Sequence, residues 1–416
     1  LNVRPLAALF WLLLGLVFYT YVGYGLLVAL LVRLRRPRPA PPPLADDALP
    51  ALTLVIAAHN EADYIVAKLE NCLALDYPRD RLSLLFVTDG STDATVERLT
   101  AYPTPPGIDL RVLHAPERRG KLAAIKRAMA HVHTPIVVYS DANTHLNRTA
   151  LRELTRHFAD PQVGAVAGEK RVRYGSQAGA EGVGEGVYWR YESRLKQLDA
   201  DLYTVVGAAG ELFALRTALY EEMPDDTIIE DFNLSLRVAR RGYRVAYAPA
   251  AYAVEGHAAS VGEEFKRKVR NASGGVQAIL RMPGLLNPLA HGWLTFQYVS
   301  HRVLRWTITP LALPLLLVLN GLLARRGGRR YRWLLAGQVA FYVTALLGQV
   351  AERAGYRIKL FYIPYYFCVM NCAVYAGMWR LLWGRQSAVW ERTRRADTAP
   401  EEKAVIGYQS LEGKKS

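Results

Sequence analysis

The 416 residues suffice for one large domain or two, and their 51% apolar content is slightly above that of a soluble protein and unevenly spread. A net charge of +15 suits nucleic acid or an anionic membrane surface. The arginine excess lies beside long apolar runs and no basic stretch is interleaved with aromatics, so nucleic acid is set aside in favour of membrane lipid.

Residues 6–32 contain no charged side chain, long enough to span a bilayer with some tilt. The run is too long for a signal-peptide core and lacks a small-residue cleavage site, so residues 1–34 read as a retained anchor. Arg33, Arg35, Arg36 and Arg38 follow and place its carboxyl end in the cytoplasm. Residues 35–50 are a stiff, Pro-rich linker.

From residue 51 strand-like and helix-like runs alternate in units of about thirty residues, the pattern of a doubly wound parallel sheet. The strands are expected at 52–58, 82–88, 110–114 and 136–139, with further candidates at 163–167 and 211–215. His59-Asn60-Glu61-Ala62-Asp63 opens an amphipathic helix with Ile65, Leu69, Cys72 and Leu73 on one face, and 122–130 and 188–198 read as helices. This α/β domain runs to about residue 285. Residues 286–384 return to the membrane. Trp293, Phe296, Val299, Val303 and Trp306 recur at helical spacing, as in a helix lying in the headgroup plane; a packed surface helix is the alternative. Uncharged runs at 306–324, 333–351 and 360–379 each approach the ~20 residues of a span. Three crossings would leave Arg392, Arg394 and Arg395 of the polar tail (385–416) outside, against the positive-inside rule, whereas Pro310 and Pro314 in a re-entrant first run would keep them inside. Cys72, Cys368 and Cys372 offer neither zinc spacing nor a disulfide framework.

Four strand ends deliver chemistry to one crevice: His59-Asn60-Glu61, Asp89, the Gly120-Lys121 turn, and Asp141 with Asn143. The last two, two residues apart, can aim hard oxygen donors at one point, which suits Mg²⁺ or Mn²⁺ holding a diphosphate; an Asx turn is the plain alternative. Val55-Ile56-Ala57-Ala58-His59-Asn60-Glu61, Thr88-Asp89-Gly90-Ser91-Thr92-Asp93, Asp141-Ala142-Asn143, Val206-Gly207-Ala208-Ala209-Gly210, Ile229-Glu230-Asp231-Phe232 and Arg267-Lys268-Val269-Arg270-Asn271 stand in that order. As an ordered set they resemble the inverting family 2 glycosyltransferases of GT-A fold, in the membrane-integrated branch of cellulose, chitin, hyaluronan and exopolysaccharide synthases.

The resemblance implies a nucleotide-sugar donor, UDP-linked as in that branch, bound through Ala58, Asn60, Glu61, Asp89, Lys121, Asp141, Arg267 and Arg270. It implies an acceptor site at Gly207, Ala208, Gly210, Asn271 and Trp189, a metal on Asp141 and Asn143, and Asp231 as general base with Glu230 beside it. The acceptor would be a glycan or a lipid-linked sugar, with export or assembly subunits as further partners and the catalytic domain in the cytoplasm below the plasma (inner) membrane. Local alternatives stand beside these roles. Glu230 and Asp231 also suit first-turn acids of a helix, Lys121 a solvated basic turn, Arg267 and Arg270 a basic helix near headgroups, and Tyr188, Trp189 and Tyr191 core packing. Asp63 and Asp93 read as helix N-terminal acids. Two positions depart from the family pattern. Asn143 stands where it has Asp, removing a negative charge from the metal site, and Asn271 where polymer-making members have Trp. A non-processive transferase acting on a polyprenyl-linked acceptor is the second reading. An inactive membrane scaffold is the third, and retention of Asp89, Asp141, Asp231, Arg267 and Arg270 argues against it.

Overall fold

The computed structural model describes residues 3–35, 39–173, 180–256, 260–326, 328–354, 356 and 359–389, with the backbone alone for 180–188 and 359. Arg36, Arg38, the ring of Tyr188 and the tail from residue 390 lie outside the described residues. A long apolar helix, α1 (Val3–Arg35), precedes one eight-stranded sheet. Its strands are β1 (Leu52–Ala58), β2 (Leu82–Asp89), β3 (Asp109–Ala115), β4 (Ile136–Asp141), β5 (His145–Leu146), β6 (Val163–Arg173), β7 (Leu212–Arg216) and β8 (Arg244–Gly256). Their order is β3-β2-β1-β4-β7-β6-β8-β5. The first four of that order run parallel, in a register that sets Ala58 beside Thr88 and Ala57 beside Asp141. β7 enters antiparallel between β4 and β6, β6 pairs parallel with β8, and β5 lies antiparallel on β8. The sheet is therefore mixed and mostly parallel.

Among the described residues seven helices accompany it: α2 (Ala62–Leu73), α3 (Thr95–Thr100), α4 (Lys121–Met129), α5 (Ala150–Thr155), α6 (Ala180–Leu202), α7 (Glu230–Arg240) and α8 (Val261–Arg281). They cover both faces, which is why Leu52, Leu54, Val55 and Ile56 are all buried without alternation. On one face Ile65, Leu69 and Cys72 of α2 and Leu151 and Leu154 of α5 pack on Leu54, Ile56 and Val138. On the other, Leu122 and Ile125 of α4 and Phe232 and Leu236 of α7 pack on Val55, Val87 and Val137. Full burial of each such aliphatic side chain stabilises by ~1.5–3 kcal/mol, so Ile65 and Leu69 suffice to hold α2 on the sheet.

Two features depart from the sequence pattern. β6 continues past Ala167 through Glu169, Lys170 and Arg171, because Lys170 is buried between the carboxylates of Glu211 and Glu255. β8 carries Arg244, Pro249 and Glu255 among its apolar residues, so no clean period of two marks it.

Beyond α8, residues 293–306 form α9, which contains a π-turn at Val299–Val303. Leu294 and Tyr298 join the core of the sheet domain, Trp306 meets the Phe232 ring at 5.2 Å, and Trp293 lies under the Arg35 guanidinium at 4.2 Å. α9 is thus wedged between α1 and the sheet domain.

Three more helices follow: α10 (Ile308–Arg326), α11 (Arg329–Arg353) and α12 (Lys359–Leu382). With α1 they make, among the described residues, four helices long and apolar enough to cross a membrane. α1 and α10 are antiparallel: Thr20 bonds Thr309 at 2.9 Å, and Phe10 packs on Leu316, Leu319 and Leu323. α12 sits differently. It meets α1 through a Tyr21–Asn371 bond (2.7 Å), the first turn of α10 through Tyr375 and Pro310, and the last turns of α11 at Gly348. It also lies along α8, where Ser273 donates to the Gly377 carbonyl at 2.9 Å and Tyr366 to Glu264 at 3.3 Å. A Cβ on Gly377 would come within 2.7 Å of the Val269 carbonyl, so the glycine sets the approach of the two helices.

Candidate active site

The order of the sheet turns at β1 and β4, the place where open α/β sheets hold ligands beyond their strand ends. A cavity of about 750 Å³ opens there, between the sheet domain and the membrane helices. Lys121, Asp141, Glu230, Asp231, Arg267 and Arg270 line it, as do Gly207, Ala208, Gly210, Asn271 and Trp189. Residues distant in the chain share one space.

Lys121 is its electrostatic centre. Gly120, at φ +97°, turns the chain into α4, and buried Asp89 holds that turn. Asp89 Oδ2 accepts from the backbone N–H of Arg119 (2.8 Å) and Gly120 (2.5 Å), while Oδ1 accepts from Arg127 (3.0 Å). Lys121 Nζ then reaches Asp141 Oδ1 at 2.7 Å and Glu230 Oε1 at 2.8 Å. Burial opposes the ammonium charge, but Asp141, Glu230 and Asp231 together raise its pKa above the usual lysine value. Burial likewise opposes ionisation of Glu230, yet Lys121 and Arg270 outweigh it and hold that carboxyl below its usual range. At Asp141 burial prevails over Lys121 and the pKa rises. Burial, joined by the charge of Glu230, pushes the Asp231 carboxyl up to about 7, with Lys121 opposing incompletely. Two adjacent carboxylates are thereby driven apart: one ionised and paired, the other poised to exchange a proton near neutrality.

Asp231 Oδ1 accepts from the Phe232 N–H at 2.8 Å inside the first turn of α7. A Cβ at position 210 would lie 3.2 Å from Asp231 Oδ2 and 3.0 Å from Lys121 Nζ, so the bare glycine leaves the approach to both open. Arg270 donates to the Ile228 carbonyl at 2.5 Å, and Arg267 is paired with Glu264 at 2.6 Å.

Ala58, Asn60, Glu61, Asp89 and Asn143 are not among the lining residues. Asn60, at φ +54°, ties the turn after β1 to that after β2: its Oδ1 accepts from Thr92 N–H (2.8 Å) and its N–H donates to Ser91 (3.2 Å). Glu61 N–H donates to Thr95 at 2.8 Å, and Asp93 accepts from the N–H groups of Ala62 and Thr95, both at 3.0 Å, a helix-terminus role.

Other residues of the site carry no motif. Lys68 is 1% exposed and donates to Ser140 (2.7 Å) and to the carbonyl and hydroxyl of Thr144 (2.9 and 3.2 Å), bracing the turn that bears Asp141 and Asn143. Burial lowers its pKa. Its signal was a lysine inside the apolar stripe Ile65–Leu69–Cys72. Glu192 on α6 takes Arg302 at 2.5 Å and Arg305 at 3.2 Å from α9, and all three reach the cavity. Only the third dimension joins them.

A sequence profile described as "Glycosyltransferase like family 2" matches residues 50–274, more than half of the chain. The chain belongs to glycosyltransferase family 2. The transferase is 29% identical over 248 residues to the "Poly-beta-1,6-N-acetyl-D-glucosamine synthase" of Staphylococcus aureus, the match covering 58% of each chain. It is 24% identical over 250 residues to the "Probable glycosyltransferase YdaM" of Bacillus subtilis, covering 56% of this chain and 57% of that one. The matched stretch thus spans little more than half the length of these relatives. Among solved structures, the mannosyltransferase PcManGT of Pyrobaculum calidifontis, in complex with GDP-Man and Mn²⁺, superposes with a TM-score of 0.71. That match has 24% identity and covers 92% of this chain and 100% of that one. The likeness shows the fold: the sheet domain is GT-A-like and carries flanking long apolar helices.

The donor set of the transferase suits a hard divalent cation. Among the described residues no three His, Cys, Asp or Glu side chains gather as a closed metal site. Of the two oxygen donors expected at a metal site, Asp141 lines the cavity and Asn143 does not; a diphosphate and water would have to complete the shell. The Lys121 ammonium, lodged between Asp141 and Glu230, stands where positive charge is wanted.

Proposed function

We propose that the transferase moves a hexosyl or N-acetylhexosaminyl group from a UDP-linked donor to a hydroxyl of a growing exopolysaccharide, with inversion at the anomeric carbon. The observation that carries this reading is that Asp141, Asp231 and Arg270 line one cavity, where burial and the charge of Glu230 push the Asp231 carboxyl up to about 7. The acceptor hydroxyl, arriving at Gly210, gives its proton to Asp231 as its oxygen bonds the anomeric carbon. The bond from that carbon to the diphosphate oxygen breaks on the opposite face. Arg270 and Lys121 meet the charge that develops on the departing diphosphate. Asp141 and Asn143 would hold Mg²⁺ or Mn²⁺, which when bound supplies further positive charge to that diphosphate.

The name of the Staphylococcus relative supports a polysaccharide product. The cavity wall supports it too, since Val22 of α1 and Phe367, Met370 and Val374 of α12 extend the lining toward the membrane helices. Arg33 and Arg35, at the end of α1 nearest the catalytic domain, support a cytoplasmic site. The test is the full chain in detergent, given radiolabelled UDP-sugars and GDP-mannose with Mn²⁺ or Mg²⁺, with nucleotide release and product size measured. One UDP-sugar is expected to yield UDP and a ladder of products. Preference for GDP-mannose would refute the uridine assignment, single additions would refute the polymer, and no release from any donor would refute the activity.

A further inference from the structure

The α6 side of the cavity carries a cation that the transfer step does not use. Lys196 is 3% exposed and lines the cavity. Among the described residues its ammonium meets no carboxylate and no hydrogen-bond acceptor, only the Trp189 ring, 5.8 Å to the centroid. The acids closest along α6 are committed elsewhere. Glu192 takes Arg302 and Arg305, and Asp199 takes His301 at 2.6 Å together with the Tyr24 hydroxyl. Three further cations surround the same ring: Lys170 at 4.9 Å, Lys268 at 5.4 Å and Arg267 at 5.8 Å. Each of these has its acid, Lys170 in Glu211 and Glu255, Arg267 and Lys268 in Glu264. Lys196 alone is left unbalanced. The side chain is covered but its ammonium opens on the cavity with no counter-charge of its own, which is where a bound anion would be held.

We infer that Lys196 and the Trp189 ring form an anion subsite on the acceptor side of the cavity, which takes an oxyanion carried by the acceptor. The inference rests on the transferase reading above. Trp189 and Lys196 are seven residues apart on α6, two turns along one face, so a sugar stacked on the indole can present a charged substituent to the ammonium. The diphosphate of the donor already has Lys121 and Arg270. A phosphate of a lipid-linked sugar and a carboxylate of an acidic sugar share the required chemistry.

The test uses the full chain in detergent at saturating donor, with three acceptors: a neutral oligosaccharide, the same oligosaccharide ending in a uronic acid, and a polyprenyl-phosphate-linked sugar. Wild type is expected to favour one of the two anionic acceptors in kcat/KM, and the one favoured identifies the source of the oxyanion. Lys196→Met should reduce that preference about tenfold or more through the acceptor KM, with Lys196→Arg retaining most of it. An unchanged preference, or a rise in donor KM in place of acceptor KM, overturns the inference. Removing an unpaired charge should leave the melting temperature equal or higher. A fall, with equal loss for every acceptor, would make Lys196 a packing residue and also overturn it. A second arm needs no turnover. Glucuronate and inorganic phosphate, at roughly tens of millimolar with saturating UDP, are each added, and one or both should raise the melting temperature of wild type but not of Lys196→Met. A shift without sugar transfer refutes the transferase reading and keeps the subsite; transfer with neither shift nor preference refutes the subsite alone.

Discussion

Replacing Asp231 by Asn removes the proposed base while keeping shape and the bond from Phe232. General-base catalysis contributes roughly 10²–10⁴-fold, so kcat should fall by that factor with little change in donor KM. The pH dependence is sharper. The carboxyl accepts a proton only when ionised, so with its pKa near 7 the wild-type rate should climb through neutrality and level off above it. Glu230 is the second cause of that elevation, after burial, so Glu230→Gln should move the rising limb toward lower pH. Stability runs the opposite way. A carboxyl whose folded pKa lies above its unfolded value stabilises the fold at low pH, and the contribution is lost as pH climbs to about 7. The rise from 3.8 to about 7, at ~1.4 kcal/mol per tenfold change in proton affinity, caps the loss at about 4 kcal/mol, and solvent reaching this half-buried group lowers it. Asp231→Asn should therefore melt higher than wild type at pH 8 and match it near pH 4. UDP release across pH 5 to 9 and thermal unfolding in detergent read both effects. A variant within threefold of wild-type kcat, or a rate limb that Glu230→Gln leaves in place, would refute the assignment.

Lys121→Ala strips the counter-ion from Asp141, Glu230 and Asp231, and breaking such a buried cluster costs ~3–5 kcal/mol. Added Mn²⁺ with UDP should recover much of the lost melting temperature, and no recovery would show that a metal does not take the ammonium's place. Asn143→Asp restores a second carboxylate, so half-maximal activity should need about tenfold less Mn²⁺; an unchanged requirement in metal titrations would remove Asn143 from the site. Gly207→Ala should destabilise by at least about 2 kcal/mol, because φ is +97° and the new Cβ would fall 2.4 Å from the Phe232 ring. An unaltered unfolding curve would contradict that crowding.

The parallel half of the sheet was legible because β1, β2 and β4 are covered on both faces and so read as continuous apolar runs ending in polar turns. β8 was not, since Pro249 and the ion-paired Glu255 break its pattern, and β6 was cut short for the same kind of reason at Glu169 and Lys170. Within the site, five of the charged residues that line the cavity come from motifs: Asp141, Glu230, Asp231, Arg267 and Arg270. Asn60 and Asp89 belong to the same motifs, yet their recorded bonds shape turns, Asn60 joining two strand ends and Asp89 aiming Lys121. A motif marks residues that must stand together; it does not separate those that touch ligand from those that set backbone. Lys68 shows the converse, a structural cation that only its place on an apolar stripe betrays.

This division has a cause in the architecture. The side of the cavity that carries Lys121 and Asp141 is built from strand ends and the turns that follow them, where a few contiguous residues determine geometry, so it is written locally. The opposite wall is assembled from α6, α9, α1 and α12, whose contacts join Tyr21 to Asn371, 350 residues apart, and Glu192 to Arg302 and Arg305, over a hundred residues apart. Such contacts depend on how helices seat, and helix seating depends on small residues such as Gly377 and Gly275, where any side chain would collide with Val269 or with Trp306. A side chain at either position would reshape that wall without touching a motif. The wall built from strand ends is therefore readable from motifs, and the helical wall has to be read from the packing of this chain.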